Sequence, residues 1–530
     1  MNAIRWLCLL TLLSVSHQLW SQTYTTTIAP KGEEKWWGAL TAMGGQMPYG
    51  TTPMIDFGAN NLNNQTSPLL LSSEGRYVWS ESPFSFKVSG DTLYIESRYE
   101  EVSVTDAGRS LREAYTAAVR AHFPPTGEIP AESFFSLPQY NTWIELMYDQ
   151  NQEDILAYAD AVLEHGFSPG VFMIDDNWQK YYGNFDFKPE RFPTPKEMSD
   201  RLHRQGFKVM LWVCPYVSPD SPEFRALQQK GYLVRAKGST APAIIRWWNG
   251  YSACIDLTHP DAVSWLVGEL EACQERYGID GFKFDGADVS YMQEGAYDFY
   301  DPEALISDYT RKWAELGLHF PYNEYRATWK MGGQPLVQRL GDKDYSWAAV
   351  SALIPEMVAA GLLGHPYTCP DMVGGGQFAA FLNIDSAHFD QELIVRSAQI
   401  HALMPMMQFS VAPWRILDEV HLDACRKATE LHLGMSDYIL QCAREASETG
   451  EPIIRNMEYM FPHQGYAEIK DQFMLGERYL IAPMVTPGHQ RVVVLPAGRW
   501  RDDLGKVHRG PRRLEVTVPI DRVPYYERLK

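Results

Sequence analysis

A chain of 530 residues with a formal net charge of −19 is too long for a single domain and too acidic for partners that are held by a basic surface. Nucleic acid and anionic membranes are excluded as principal partners, because attraction to their phosphates needs an excess of Lys and Arg. A composition of 45% hydrophobic and 13% aromatic residues is that of a folded protein with an ample core, and the chain carries no internal repeat or low-complexity stretch.

In chain order, Arg5 precedes the apolar run Trp6-Leu-Cys-Leu-Leu-Thr-Leu-Leu-Ser-Val-Ser, and the small residue Ser21 precedes Gln22. This is the layout of a secretory signal peptide over residues 1–21, too short to span a bilayer comfortably. It predicts an exported protein, periplasmic or extracellular, with no membrane attachment after cleavage; a retained N-terminal anchor is the alternative. Residues 22–139 are rich in Gly, Ser, Thr and aromatic residues in short strand-like runs such as Phe84-Ser-Phe-Lys-Val, which predicts a β-sandwich.

From 140 to 430, apolar strands alternate with segments of helical period such as 195–205 and 261–277, the pattern of βαβ units and a parallel sheet. Gly170-Val-Phe-Met-Ile-Asp175-Asp176-Asn-Trp178 runs from a strand into two carboxylates and an indole. Lys208-Val-Met-Leu-Trp212-Val-Cys214-Pro215 follows, and then Gly278-Ile-Asp-Gly-Phe-Lys283-Phe-Asp285-Gly-Ala-Asp288. A charge at a buried strand end is costly unless it is paired or used. Acidic and aromatic residues recurring at the C-terminal ends of successive parallel strands are gathered around one pocket by a (β/α)8 barrel. Such a pocket suits a sugar: carboxylates accept hydroxyl hydrogen bonds and indoles cover the apolar face of a pyranose. Residues 431–530 read as a helical exit followed by a second β-sandwich, with runs such as Arg491-Val-Val-Val-Leu-Pro.

Blander readings stand beside each of these. Asp285 and Asp342 both occur in turn contexts where Asp caps loops. Trp178, Trp212 and Trp347 are bulky rings that pack cores as readily as they stack on sugars. Adjacent strand residues face opposite ways, so Asp175 and Asp176 point together only if the strand has already ended; one is expected to bind hydroxyls and the other to pair with a base. Lys283 shares a face with Asp285, with an ion pair to Asp288 as the alternative. No His or carboxylate falls at ligand spacing near the acidic pair, so no metal is expected. Gly374-Gly-Gly376 lacks the Lys-Ser/Thr of a phosphate loop, and no cofactor is expected.

Taken in order, these segments resemble glycoside hydrolase family 31. The resemblance is carried by Ile174-Asp-Asp-Asn-Trp178, Phe185-Asp-Phe-Lys-Pro-Glu-Arg-Phe-Pro193, Leu211-Trp-Val-Cys-Pro215, Phe282-Lys-Phe-Asp285, Gly341-Asp342-Lys-Asp-Tyr-Ser-Trp347 and Gly364-His-Pro-Tyr-Thr-Cys-Pro-Asp371. In the tail it continues through Glu451-Pro-Ile-Ile-Arg455 and Leu495-Pro-Ala-Gly-Arg-Trp500. It implies a barrel flanked by β domains and a retaining, exo-acting α-glycosidase with Asp285 as nucleophile and Asp342 as acid/base. Two carboxyls about 5–5.5 Å apart serve that chemistry, because the charge on one disfavours ionisation of the other. Asp371 falls on a family position near the first sugar. Arg339 stands where many members have Trp, and Met404-Pro-Met-Met-Gln408-Phe-Ser410 stands where α-glucosidases carry Arg-x-His. These departures resemble the branch of the myogenesis-regulating glycosidase, of α-galactosidase type. An α-glucosidase, an α-xylosidase, a transglycosylase and a non-catalytic carbohydrate-binding protein remain alternatives.

Beyond Cys8, six cysteines remain. Cys273, Cys425 and Cys442 fall in helical patterns as buried thiols, Cys214 and Cys369 stand at strand ends where they could meet, and Cys254 could pair with Cys214.

Overall fold

The computed structural model describes residues 23–382 and 389–529, so the expected signal segment and Cys8 lie outside the described residues. Residues 24–106 form two antiparallel four-stranded sheets. One orders its strands Tyr24–Ile28, Thr92–Ser97, Ser85–Ser89, Ile55–Asp56, and the other Trp36–Leu40, Thr66–Ser72, Arg76–Trp79, Ser103–Asp106. Ser85–Ser89 and Thr92–Ser97 alternate buried and more exposed residues, as strands with one solvated face do. Trp36–Leu40 and Thr66–Ser72 are buried throughout, because their other face packs on the barrel. A loop between the sheets reaches the barrel top: buried Gln65 donates from Nε2 to the carbonyls of Arg326 and Arg339, both at 2.8 Å.

The barrel strands are β1 (Gln139–Asn141), β2 (Val171–Ile174), β3 (Lys208–Val213), β4 (Gly281–Phe284), β5 (Tyr322–Tyr325), β6 (Gln338–Arg339), β7 (Thr368–Cys369) and β8 (Gln408–Phe409). They pair in parallel in the order β7-β6-β5-β4-β3-β2-β1-β8. The ring is completed just past β7, where the Val373 amide donates to the Gln408 carbonyl at 2.8 Å. Between strands lie helices α1 (Gln152–Glu164), α2 (Pro195–Arg204), α3 (Pro260–Tyr277), α4 (Ile306–Leu316), α5 (Trp347–Leu362) and α6 (Gln391–Ala402), with residues 326–337 crossing from β5 to β6 as a loop. Buried on both faces, β2 and β4 read as continuous apolar runs interrupted only by Lys283.

After β8 the chain enters the 31-residue helix α7 (Glu419–Thr449), capped by Asp418 accepting from the His421 amide and ended by Gly450 in the left-handed region. It runs unbroken through residue 430, where the sequence suggested a junction. The expected C-terminal sandwich follows, its six antiparallel strands hydrogen-bonded in one continuous sheet. Its long hairpin, Gln490–Asp502 with Val507–Thr517, carries a bulge between Leu495 and Gly498 that bends it around a small core including Trp500, Met474 and Leu480, so one sheet encloses what two would. Among the described residues all six cysteines are free and buried, so neither Cys254 nor Cys369 is bonded to Cys214; Cys254 is held instead in a strand opposite Tyr216.

Candidate active site

Asp285 follows the last residue of β4. The chain turns there through Gly286 and Ala287, both left-handed, and a Cβ on Gly286 would sit 2.9 Å from the Tyr216 ring. The turn holds the carboxylate still. Oδ1 accepts from the Gly286 amide at 2.8 Å and from Arg326 Nε at 3.0 Å, and Oδ2 accepts from Trp212 Nε1 at 3.1 Å. Burial alone would raise this carboxyl, but the charges of Arg326, Lys283 and Arg339 outweigh it and hold Asp285 well below the usual carboxylate range.

Arg326, just past β5, has no counterpart among the residues read from the sequence. It also grips Asp288 with both terminal nitrogens (3.1 and 2.7 Å) and donates to the Asn63 carbonyl at 2.7 Å, while Asn61 Nδ2 reaches Asp288 at 3.2 Å. The N-terminal domain thus helps to position the guanidinium that charges Asp285. With Asp288 taken by Arg326, Lys283 pairs elsewhere: its Nζ lies 2.5 Å from Asp175.

β2 ends at Ile174, so the alternation of strand side chains lapses and both Asp175 and Asp176 face the cavity; Asn177 follows at φ 78°. Asp175 takes the basic partner. Asp176 accepts instead from Tyr182 Oη (3.1 Å) and from Asn249 Nδ2 (2.6 Å). Burial, reinforced by the negative Asp175 beside it, pushes Asp176 up to about 7.

Opposite stands a cluster around Arg339. Its guanidinium contacts Glu324 (3.4 Å), Asp342 (2.8 Å) and Asp371 (2.6 Å). Asp342 lies on the loop after β6, its side chain 34% exposed, and Gly376 packs so closely that a Cβ there would come within 3.1 Å of the Asp342 carboxyl. Asp371 sits beneath, fully buried in the left-handed region (φ 73°), accepting from the amides of Lys343 (2.8 Å) and Gly376 (3.1 Å). Burial pushes its carboxyl up to about 6, against the pull of Arg339. Asp371 supports the loops that carry Asp342 and does not itself line the cavity.

Besides Asp371, three expected contacts are not in the pocket wall. Trp178 is fully buried, donates to the Trp212 carbonyl at 2.7 Å and packs on Phe187, so it is core. Trp347 opens α5 and donates to Asp390 at 2.8 Å. Gln408 is sealed inside the barrel between Gln139 (3.0 Å) and Glu324 (2.8 Å). The indole on the cavity is Trp212, joined by Trp143, Tyr148, Trp248, Tyr291 and Phe378. Trp248 lies at the tip of the hairpin Ile244–Trp247/Gly250–Cys254, with the Arg326 guanidinium 5.5 Å from its ring. Neither the aromatic rim nor Asn61–Asn64 carries a local signal, because each comes from a loop or domain that only tertiary structure brings to the barrel top.

The cavity encloses about 530 Å³ and brings together Asp175, Asp176, Trp212, Lys283, Asp285, Arg339 and Asp342. Carboxylates and aromatic rings ring it at the C-terminal end of a closed (β/α)8 barrel, the face on which such barrels carry their sites. The chain belongs to glycoside hydrolase family 31: residues 135–442 match the family's TIM-barrel domain, and residues 450–529 its C-terminal domain. It is 33% identical over 429 residues to the mouse myogenesis-regulating glycosidase, covering 79% of this chain and 60% of that protein. An α-xylosidase of Lactiplantibacillus pentosus is 25% identical over 483 residues, again with 60% of its length covered. The chain therefore spans about three fifths of these relatives. In fold it is similar to a Flavobacterium johnsoniae family 31 dextranase complexed with glucose, at a TM-score of 0.83 and 19% identity, over 96% of this chain and 66% of that one.

Proposed function

We propose that this chain is a retaining, exo-acting α-glycosidase in which Asp285 is the nucleophile and Asp342 the acid/base. The observation that carries the reading is the setting of Asp285: a carboxylate kept ionised and fixed by Arg326, Trp212 and the Gly286 amide, facing a cavity that also receives an exposed second carboxyl. In the first half-reaction an Asp285 oxygen bonds to the anomeric carbon while the glycosidic oxygen leaves with the proton of Asp342. In the second, Asp342 takes a proton from water, the hydroxide oxygen bonds to the anomeric carbon, and the Asp285 carboxylate departs. Lys283 and Arg326 stabilise the carboxylate before attack and again as it leaves. Asp175, Asp176 and Trp212 supply acceptors and an apolar face for the sugar in the first subsite.

The sugar itself is proposed to be an α-galactoside. That preference is supported by the resemblance around Phe282-Lys-Phe-Asp285 and Met404 to Ser410. Export directed by residues 1–21 belongs to the same reading, and the N-terminus of the mature protein tests it. The function is tested by initial rates on nitrophenyl α-galactoside, α-glucoside and α-xyloside for the wild type, Asp285→Ala and Asp342→Ala. Turnover of one of the three that Asp285→Ala abolishes and Asp342→Ala lowers is the expected outcome. Activity surviving Asp285→Ala overturns the nucleophile, and a preference for glucoside or xyloside overturns the sugar.

A further inference from the structure

Asp342 is carried by the loop between β6 and α5, and that loop is tied down at the residue beside it. Among the described residues, Lys343 is the one position between Leu340 and Ser346 whose main chain is bonded to another segment. Its amide donates to Asp371 at 2.8 Å, and its carbonyl accepts from the Gln377 amide at 3.2 Å. The Lys343 side chain lies along the wall of the catalytic cavity, with its ammonium taken by Glu356 of α5 at 2.5 Å. Glu356 is in turn braced from the N-terminal domain. The turn Thr41–Gln46 packs so closely on α5 that a Cβ on Gly44 would lie 2.5 Å from the Glu356 Cα, and Ala42 of the same turn lines the cavity.

Stability does not account for this pair. Both side chains are largely buried, and burial pushes the Glu356 carboxyl above its ordinary value despite the attraction of Lys343. Taking two charges out of water costs about as much as their attraction returns, so an apolar pair of similar volume would join the loop to α5 at least as well. What an apolar pair lacks is direction. An ammonium bonded to one carboxylate oxygen sets where the Lys343 backbone stands, and Asp342 is the adjoining residue. An acid must present its proton to one lone pair of the glycosidic oxygen, and a displacement of about 1 Å costs about 100-fold in rate. Asp342 is too exposed to be fixed by packing around its own side chain, whereas its neighbour is held on three sides.

We infer that Lys343 and Glu356 are positioning residues for the acid/base step: their ion pair, braced by the N-terminal domain, holds the loop where Asp342 meets the glycosidic oxygen. The inference rests on the role proposed for Asp342. It is tested by kcat/KM of the full-length protein on the nitrophenyl and methyl forms of α-galactoside, α-glucoside and α-xyloside, with melting temperatures measured alongside. On the sugar that the wild type cleaves, Lys343→Met and Glu356→Gln should each lower the methyl glycoside about 10- to 100-fold and the nitrophenyl glycoside less than about threefold, because nitrophenolate leaves without a proton. Lys343→Met/Glu356→Leu should melt near the wild type, since neither charge is left unpaired, and still show the methyl defect. Equal losses on the two leaving groups in the single variants, or a wild-type ratio of the two rates in the double variant, overturn the inference and leave the pair as packing. If Asp342→Ala itself lowers both leaving groups equally, or no α-glycoside is cleaved, the acid/base reading falls and takes this inference with it.

Discussion

The two carboxyls proposed for the chemistry stand in opposite circumstances. Asp285 sits at a strand end, 9% exposed, with three donors on its two oxygens and a following glycine packed so close to Tyr216 that a Cβ there would lie 2.9 Å from the ring. Asp342 lies on a loop, one third exposed, and its single side-chain donor among the described residues is an arginine shared with Asp371 and Glu324. A nucleophile must be ionised and stationary, whereas an acid/base must exchange its proton with leaving group and water in turn. The fold meets the first need by burial among cations and the second by exposure and a guanidinium that can release one of several partners. Direct contacts, more than mutual repulsion, set the charge at Asp285.

The largest effect should come from removing the fixed partner. Asp285→Ala is expected to lower kcat/KM by at least about 10,000-fold on every substrate, since no other group can carry the glycosyl ester. Asp342→Ala should cost about 100- to 10,000-fold, the range of general acid–base catalysis. It should also divide substrates by leaving group: nitrophenyl glycosides, which leave without a proton, should suffer far less than alkyl glycosides. Equal losses on both would remove Asp342 from the acid's role and leave the contrast between the two corners without chemical meaning.

Arg326→Met sharpens the same contrast. Two buried carboxylates, Asp285 and Asp288, lose their guanidinium at once, and breaking a buried ion pair costs about 3–5 kcal/mol of stability. The sign follows from the direction of the shift at Asp285. Its native value is depressed, so its ionised form stabilises the fold above the unfolded carboxylate value, a contribution lost only as pH falls through the native one. Without Arg326 the native value rises. The acid limb of kcat/KM should therefore move to higher pH, and the stability deficit should be largest near neutrality and shrink toward pH 3. An unmoved acid limb would assign the charging of Asp285 to Lys283 and Arg339 instead.

Asp176 tests burial without a cation. Its native value, up to about 7, lies above the unfolded one, so ionisation is resisted in the fold. Below about pH 4 both states are protonated and the residue is neutral to stability; between about 4 and 7 the unfolded chain ionises first and stability falls. Asp176→Asn should leave melting unchanged at pH 4 and raise stability at pH 8 by about 2–4 kcal/mol. A destabilised variant at pH 8 would show that the bonds from Tyr182 and Asn249 require the anion.

What could be read from the sequence follows a physical line. Asp175, Asp176, Trp212, Lys283 and Asp285 were legible because strand periodicity and the site's place at strand ends are local properties, written within a few residues of each side chain. Asp175 pairs with Lys283, a base on β4, while Asp176 bonds Tyr182 and Asn249 of the protein itself. Arg326, Trp248 and the Asn61–Asn64 loop were not legible, since nothing near them in sequence marks a loop that will be folded over a pocket built by other segments. Gln408 and Trp178 fail for a different reason. A residue near a barrel strand end can face the closed interior or an outer layer as well as the mouth, and only the ring's geometry decides which.

Trp178 provides the smallest effect. Its indole reports on Trp212 through one hydrogen bond to that residue's carbonyl, beneath the cavity and out of reach of a sugar. Trp178→Phe keeps most of the packing against Phe187 and removes the donor, leaving a buried carbonyl short of one partner. Stability should fall by about 1–3 kcal/mol, the cost of an unsatisfied buried acceptor with a small cavity added. KM and kcat should change by less than about threefold, because Trp212 Nε1 still reaches Asp285 from the opposite end of the residue. By contrast, Trp212→Phe removes a donor to Asp285 itself and should lower kcat about 10- to 100-fold, with a stability loss of about 1–3 kcal/mol like that of Trp178→Phe because its ring is buried too. The pair separates a ring that builds the wall from the ring that is the wall, and a large loss of kcat in Trp178→Phe at unchanged stability would return Trp178 to the sugar.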